Sequence, residues 1–262
     1  MRCFFGSRWL LCLAFAGSIG CATRAAAPAA SEDAREVAID RTPHVETARA
    51  EPTPPREDPS VKPGINDPYF RGDALDRYTR ILESKTREIV QRRRDIVNAI
   101  GLTDGMQVAD IGAGTGLLTT EMAKRVGPRG MVFAVDIVPT FLERIRERVR
   151  AERLSNVTVV RGEETATGLA PASLDLAFMC DTYHHIEHPE AYMRSLFRTL
   201  RPGATLVLVD MKRSKGESSS AVLRHVRANK ATVIAEVEHA GFVFESETDL
   251  LEKNYYLHFR RP

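Results

Sequence analysis

From residue 108 onward, short unbroken apolar runs alternate with stretches whose apolar residues recur every three or four positions. The runs cover residues 108–111, 131–135, 157–160, 174–180 and 205–209. Each is short enough for a strand, and the lack of in–out alternation predicts burial on both faces. Between the first two, Leu118, Met122 and Val126 lie four apart, which predicts one face of a helix. The turn Gly127-Pro128-Arg129-Gly130 follows it. Leu142, Ile145 and Val149 predict a second helix, and residues 189–200 a third, closed by Arg201-Pro202-Gly203. Such an alternation predicts an α/β fold, a doubly wound parallel sheet covered by helices on both sides.

Either side of this region the rhythm changes. Tyr69, Phe70, Leu75, Tyr78 and Leu82 predict a helical segment, and Ile89, Val90, Ile96, Val97 and Ile100 a second helix stopped at Gly101. Downstream, residues 214–220 are polar, 221–240 read as one helix ending at Gly241, and 242–245 and 255–260 as two strands of a closing antiparallel hairpin. Residues 22–66 have no sustained apolar period and are rich in Ala, Pro, Glu and Arg, with Pro52-Thr53-Pro54-Pro55 unable to continue a helix. They read as a disordered tether. As a coil it would reach on the order of 35–40 Å. The folded domain is expected over 67–262, with 67–101 as an N-terminal helical cap.

The first 21 residues stand apart. Arg2 and Arg8 precede an apolar run from Trp9 to Ile19, too short to span a bilayer but suited to a signal-peptide core. It closes in Ser18-Ile19-Gly20-Cys21, which resembles a bacterial lipobox, with Ser18 where Leu or Val is usual. That resemblance implies a lipid on Cys21 and, since Ala22 is not aspartate, the outer membrane. Cleavage near residues 25–27 and an uncleaved signal anchor are the alternatives. Cys3, Cys12 and Cys21 lie in this leader and Cys180 alone in the body, so the body can form no internal disulfide. Cys180 reads as a small core residue. The expected location is the cell envelope, with the cytoplasm as the alternative.

Composition narrows the function. Of 262 residues, 43% are hydrophobic and 27% charged, as in ordinary globular proteins. A net charge of +2 offers no electrostatic footprint for nucleic acid. Gln91-Arg92-Arg93-Arg94 reads as a solvated helix face.

The chemistry concentrates after the first strand, in Asp110-Ile111-Gly112-Ala113-Gly114-Thr115-Gly116. A glycine turn there lets a ligand approach bare backbone. The second strand ends in Asp136, at the distance where an acidic side chain can take both hydroxyls of a ribose. The spacing Gly-x-Gly-x-Gly differs from the dinucleotide loop, since Leu117 stands where its third glycine belongs, and the Gly-Lys-Ser/Thr ending of a P-loop is absent.

Asp-x-Gly-x-Gly-x-Gly followed by Asp136 resembles the first motifs of the class I S-adenosylmethionine (SAM) dependent methyltransferases. The resemblance covers about residues 70 to 262. It implies a Rossmann-like seven-stranded sheet in the order 3-2-1-4-5-7-6, mostly parallel, with SAM across the carboxyl ends of strands one to four. Carried over by position, Asp110, Gly112, Ala113, Gly114 and Gly116 would hold the methionine end. Asp136 would bind the ribose and Ile137 would pack on adenine. Glu163, directly after Gly162, would meet the adenine amino group.

Strand four ends in Cys180-Asp181-Thr182-Tyr183-His184-His185-Ile186-Glu187-His188-Pro189. This segment resembles the Tyr-His-His turn of small-molecule methyltransferases related to quinone biosynthesis. It implies that Asp181 lies at the cofactor and that His184 and Tyr183 face a small-molecule acceptor. A histidine here is either a general base or a pocket-shaping hydrogen-bonding group, with His184 favoured over His185. Tyr183 has the alternative of a core aromatic, and Asp210, closing strand five, lines the pocket or forms a turn. Metal is not expected, because neighbours on an extended segment point apart. The cap over residues 69–100 is a candidate lid. Two functions follow: methyl transfer to a small molecule, or an envelope-anchored SAM-binding module without turnover. SAM is made in the cytosol, so export of a SAM-dependent enzyme stands in tension with its supply.

Overall fold

The computed structural model describes residues 58–262. The leader and residues 22–57 of the expected tether lie outside them. After a single 3-10 turn at Asp67–Phe70 come three short helices, α1 (Ala74–Leu82), α2 (Glu88–Gln91) and α3 (Arg93–Ala99). Then β1 (Gln107–Ile111), α4 (Leu117–Val126), β2 (Met131–Asp136), α5 (Pro139–Ala151), β3 (Val157–Arg161) and β4 (Leu174–Cys180) alternate. A 3-10 turn at Tyr183–His185 leads to α6 (Pro189–Thr199) and β5 (Leu200–Met211). Helices α7 (Ser220–His225) and α8 (Lys230–His239) precede the hairpin of β6 (Val243–Glu247) and β7 (Asn254–Arg260). The seven strands form one sheet in the order β3-β2-β1-β4-β5-β7-β6. The first five strands pair in parallel, and β7 runs antiparallel to β5 and to β6.

The core alternates along the strands as a pleat requires. Ala109, Ala177, Met179, Leu206, Leu208 and Leu257 pack with Met193 and Leu196 of α6 and Val233 and Val237 of α8. Their neighbours Val108, Leu176, Phe178, Val207, Val209 and Tyr256 pack against Ile96 and Val97 of α3 and Met122 and Val126 of α4. Apolar residues at consecutive strand positions therefore serve two different layers.

Three expectations change. Residues 58–66 belong to the packed body, not the tether: the Val61 amide donates to the Glu187 carbonyl at 2.8 Å, and Asp58 accepts from the Ala191 amide at 2.8 Å in the first turn of α6. Arg201-Pro202-Gly203 does not end the helix in a free turn but bulges within β5, where Leu174 pairs Leu200 and Leu176 pairs Thr205. The predicted helix over 221–240 is two helices. Asn229 caps α8 by accepting from the Thr232 amide at 2.9 Å, and Arg213 Nε donates to the Val226 carbonyl at 2.8 Å. Both bonds favour a break over continuation.

Candidate active site

A cleft opens over the carboxyl ends of β1, β2 and β4, the crevice where open parallel sheets take ligands. Its floor is the glycine turn. Gly112, Gly114 and Gly116 have φ of 69°, 55° and 77°, a region that side-chain-bearing residues rarely enter. A Cβ on Gly112 would lie 2.3 Å from Thr182 Cγ2, so sterics as well as φ hold that position to glycine. Gly116 turns the chain into α4 rather than lining the cleft. The Gly112 and Ala113 amides both donate to the Val135 carbonyl, at 2.8 and 3.0 Å, which folds the turn over the end of β2.

Two carboxylates lie beneath this turn. Asp136 accepts from the Gly114 amide through Oδ2 at 2.8 Å and from the Val138 amide through Oδ1 at 2.9 Å. Asp110 accepts from Thr119 Oγ1 at 2.6 Å. Burial pushes both up, Asp110 to about 7, with the Asp136 charge adding, and Asp136 to about 6 against the pull of its backbone donors. Every carboxylate oxygen has more than one lone pair, so these bonds leave acceptor capacity toward the cleft.

Ile137, Phe141, Glu163 and Glu164 line one end of the cleft. Glu163 is exposed and its backbone amide donates to the Ala166 carbonyl at 2.9 Å. Across the cleft stand Tyr69, Leu82, Arg87 and Ile89 from the N-terminal helices. Arg87 pairs with Asp181 and also donates to the Leu82 carbonyl at 2.9 Å. Asp181 has a φ of 49°, and its other oxygen accepts from Asn254 Nδ2 at 2.5 Å. Burial pushes the Asp181 carboxyl up, with Arg87 opposing the shift. Its carboxylate thus joins the cap to β7 at the cleft wall.

The Tyr-His-His turn departs from expectation. Tyr183 is fully buried among core residues that include those of α6 and α8, and does not line the cleft. Its hydroxyl donates to Glu236 Oε2 at 2.7 Å, and Arg227 lies 5.2 Å above its ring and pairs with the same carboxylate. The alternative of a core aromatic holds, since a large apolar ring gains more by burial than at a solvated wall. His184 is also buried away from the cleft. Its Nδ1 meets Asp210 Oδ1 at 2.6 Å, and its amide donates to Asp210 Oδ2 at 3.0 Å. Burial lowers its affinity for a proton, but the Asp210 carboxylate outweighs this and holds it above the ordinary histidine value.

His185 is the histidine in the cleft wall. Its Nε2 lies 3.3 Å from the Tyr69 hydroxyl. Burial pushes it down to about 2, with His184 and His225 adding to the shift. The segment is not extended: the 3-10 turn brings the His184 and His185 rings to 4.3 Å, and His225 of α7 lies 4.9 and 5.0 Å from them. Thr119 and Arg87 were not singled out as site residues from sequence, and Tyr69 entered only as part of the candidate lid. Arg87 shares the link between the two predicted helices with Lys85, so local sequence did not mark it.

Known proteins resemble this chain in sequence and in fold. A family model described as methyltransferase domain matches residues 102–259. A ubiquinone/menaquinone biosynthesis C-methyltransferase, UbiE, of Shewanella woodyi is 28% identical over 124 residues, 47% of this chain and 49% of the relative. The chain thus spans about half the length of the curated relatives it matches. A SAM-dependent methyltransferase structure from Aquifex aeolicus superposes with a TM-score of 0.65 at 24% identity, over 72% of this chain and 98% of that one. Phosphoethanolamine N-methyltransferase 2 of Haemonchus contortus, in complex with S-adenosyl-L-methionine, gives a TM-score of 0.58 at 20% identity, over 71% of this chain and 46% of its own. With the family model covering more than half its length, the chain belongs to the methyltransferase-domain family and carries the seven-stranded fold of SAM-dependent methyltransferases.

Proposed function

We propose that this protein is a SAM-dependent methyltransferase acting on a small-molecule acceptor. The observation that carries the reading is the convergence of Asp110, Asp136 and the bare glycine turn on one cleft. The site suits an adenosyl sulfonium. Asp136 retains acceptor capacity for ribose hydroxyls, Ile137 offers an apolar surface for adenine, and Asp110 offers a carboxylate toward the methionine part. Glu163 and Glu164 both border the adenine end, and Glu163 is the proposed partner of the amino group. When bound, SAM supplies a methyl group on a positively charged sulfur, open to in-line attack.

The residues of the chain need only position the acceptor and exclude water. Tyr69, Leu82 and Ile89 close one side, and Arg87 fastens them to Asp181. Burial pushes His185 down to about 2, which makes it too weak a base to take a proton from the acceptor, so its use is to accept or donate a hydrogen bond. It is therefore a positioning residue. The names of the curated relatives point to C-methylation of quinone-type rings, and the acceptor class proposed here is a small apolar ring compound.

Calorimetry on the full chain tests the cofactor. One equivalent of SAM or S-adenosylhomocysteine is expected, with binding lost in Asp136→Ala. No heat at millimolar ligand overturns the reading. Binding without transfer of labelled methyl to a panel of quinol and phenol acceptors would favour the module without turnover. The location proposed is the cell envelope, through a lipid on Cys21 or a signal anchor within the first 21 residues.

A further inference from the structure

We propose that His184, His185 and His225 form a binding site for a divalent transition-metal ion beside the cleft. The inference does not depend on methyl transfer. One ring nitrogen from each of the three lies within 4.8 Å of those of the other two. Bound to one metal at about 2.0–2.1 Å, such nitrogens stand roughly 3.3 Å apart, so side-chain rotation of an ångström or two closes the set.

Two features go beyond proximity. Nδ1 of His185 is buried and has no hydrogen-bond partner, an uncommon state for a polar atom in a packed interior. A coordinate bond would satisfy it. His184 is oriented as metal-binding histidines are: Asp210 takes Nδ1 at 2.6 Å and leaves Nε2 to ligate, the carboxylate–histidine–metal arrangement. Asp210 itself is held by the His184 and Met211 amides at 3.0 and 2.7 Å. The third ligand sits on α7, the more exposed helix, so the ion has an entry side. Three imidazoles and no thiolate suit Zn²⁺, Co²⁺, Ni²⁺ or Fe²⁺ and not Mg²⁺ or Ca²⁺. Lys62 opposes the site electrostatically, since its ammonium donates to the Arg224 carbonyl at 2.8 Å, and the Asp210 carboxylate offsets it. Because His185 also lines the cleft, a ligand position left open on the metal would be available to water or to an oxygen of a molecule bound there.

The test is titration of the metal-stripped full chain with Co²⁺, followed by visible absorption and calorimetry. One equivalent with the d–d bands of nitrogen-coordinated cobalt is expected. His225→Ala and His185→Ala should each weaken it at least about tenfold, and Asp210→Asn by roughly 10–100-fold. Circular dichroism melts on each variant separate ligand loss from unfolding. His225→Ala should leave SAM affinity unchanged, so loss of the metal and loss of the cofactor read out independently. Absence of the bands overturns the proposal. So does cobalt that binds the His185→Ala/His225→Ala double variant as tightly, or that shows thiolate charge transfer from the leader cysteines.

Discussion

Asp110 and Asp136 carry opposed demands. Folding buries both, and burial raises them to about 7 and about 6 from the ordinary 3.8. Between roughly pH 4 and pH 7 the folded chain therefore holds protons that the unfolded chain releases. By linkage, stability falls as pH rises through that window. Cofactor binding runs the other way, because the ionised carboxylates are the better acceptors for hydroxyl and ammonium donors. Denaturant melts from about pH 5 to about pH 8 should show the ligand-free chain losing stability, with a flatter slope in Asp110→Asn, while SAM affinity rises over the same range. Gly112 is constrained in a different way. In Gly112→Ala a Cβ 2.3 Å from Thr182 adds to an unfavourable φ, and a cost of about 2 kcal/mol or more is expected in melts. The need for glycine at 112, 114 and 116 was legible because local spacing encodes it. The contact that makes Gly112 irreplaceable was not, since Thr182 is 70 residues away and meets it only in the folded sheet.

At the level of elements, strands were legible wherever burial on both faces gave continuous apolar runs. Those of β1 and β2 were read to within one residue at either end, and that of β4 without error. What escaped were breaks set by capping and pairing. Asn229 splits α7 from α8 through a side-chain bond that outweighs the helical periodicity around it, and β5 extends back through Pro202 because Leu200 pairs with Leu174 of β4 and Gly203 and Ala204 bond to the backbone of Arg261, just past β7. The Tyr-His-His turn was misjudged for a related reason: a 3-10 turn reverses which neighbouring side chains face one another, bringing His184 and His185 together and sending Tyr183 into the core. Polar links tie the N-terminal helices to the body: Arg87 to Asp181, Glu83 to Arg148 of α5, and Glu88, which accepts from the Glu252 and Lys253 amides at 2.6 and 2.9 Å. Arg87→Met removes the first and leaves Asp181 buried with only Asn254. A loss of about 1–3 kcal/mol is expected, with faster hydrogen exchange over residues 69–91 and faster release of SAM. Unchanged exchange there would show that the apolar contacts of Tyr69 and Ile89 hold the cap without it.

Across the whole molecule, the fold of SAM-dependent methyltransferases, whose proposed cofactor is made in the cytosol, follows a leader that reads as an export signal. Among the described residues, no helix is long and apolar enough to cross a membrane. The buried carboxylates make retention of an idle site costly: two acidic groups raised by burial destabilise the ligand-free chain near neutral pH, and a fold without a ligand to bind would gain by replacing them. That favours a chain that meets SAM where it works, and sets up a decisive measurement in cells expressing the full chain. If the envelope reading holds, radioactive palmitate labels the protein, Cys21→Ala abolishes the label, and external protease digests the domain once the outer membrane is opened. An unlabelled, membrane-bound chain that resists protease in spheroplasts would instead be held by an uncleaved signal anchor with its domain on the cytosolic side, within reach of SAM. An unlabelled, soluble chain would overturn the lipid anchor while leaving the cleft and its proposed cofactor untouched.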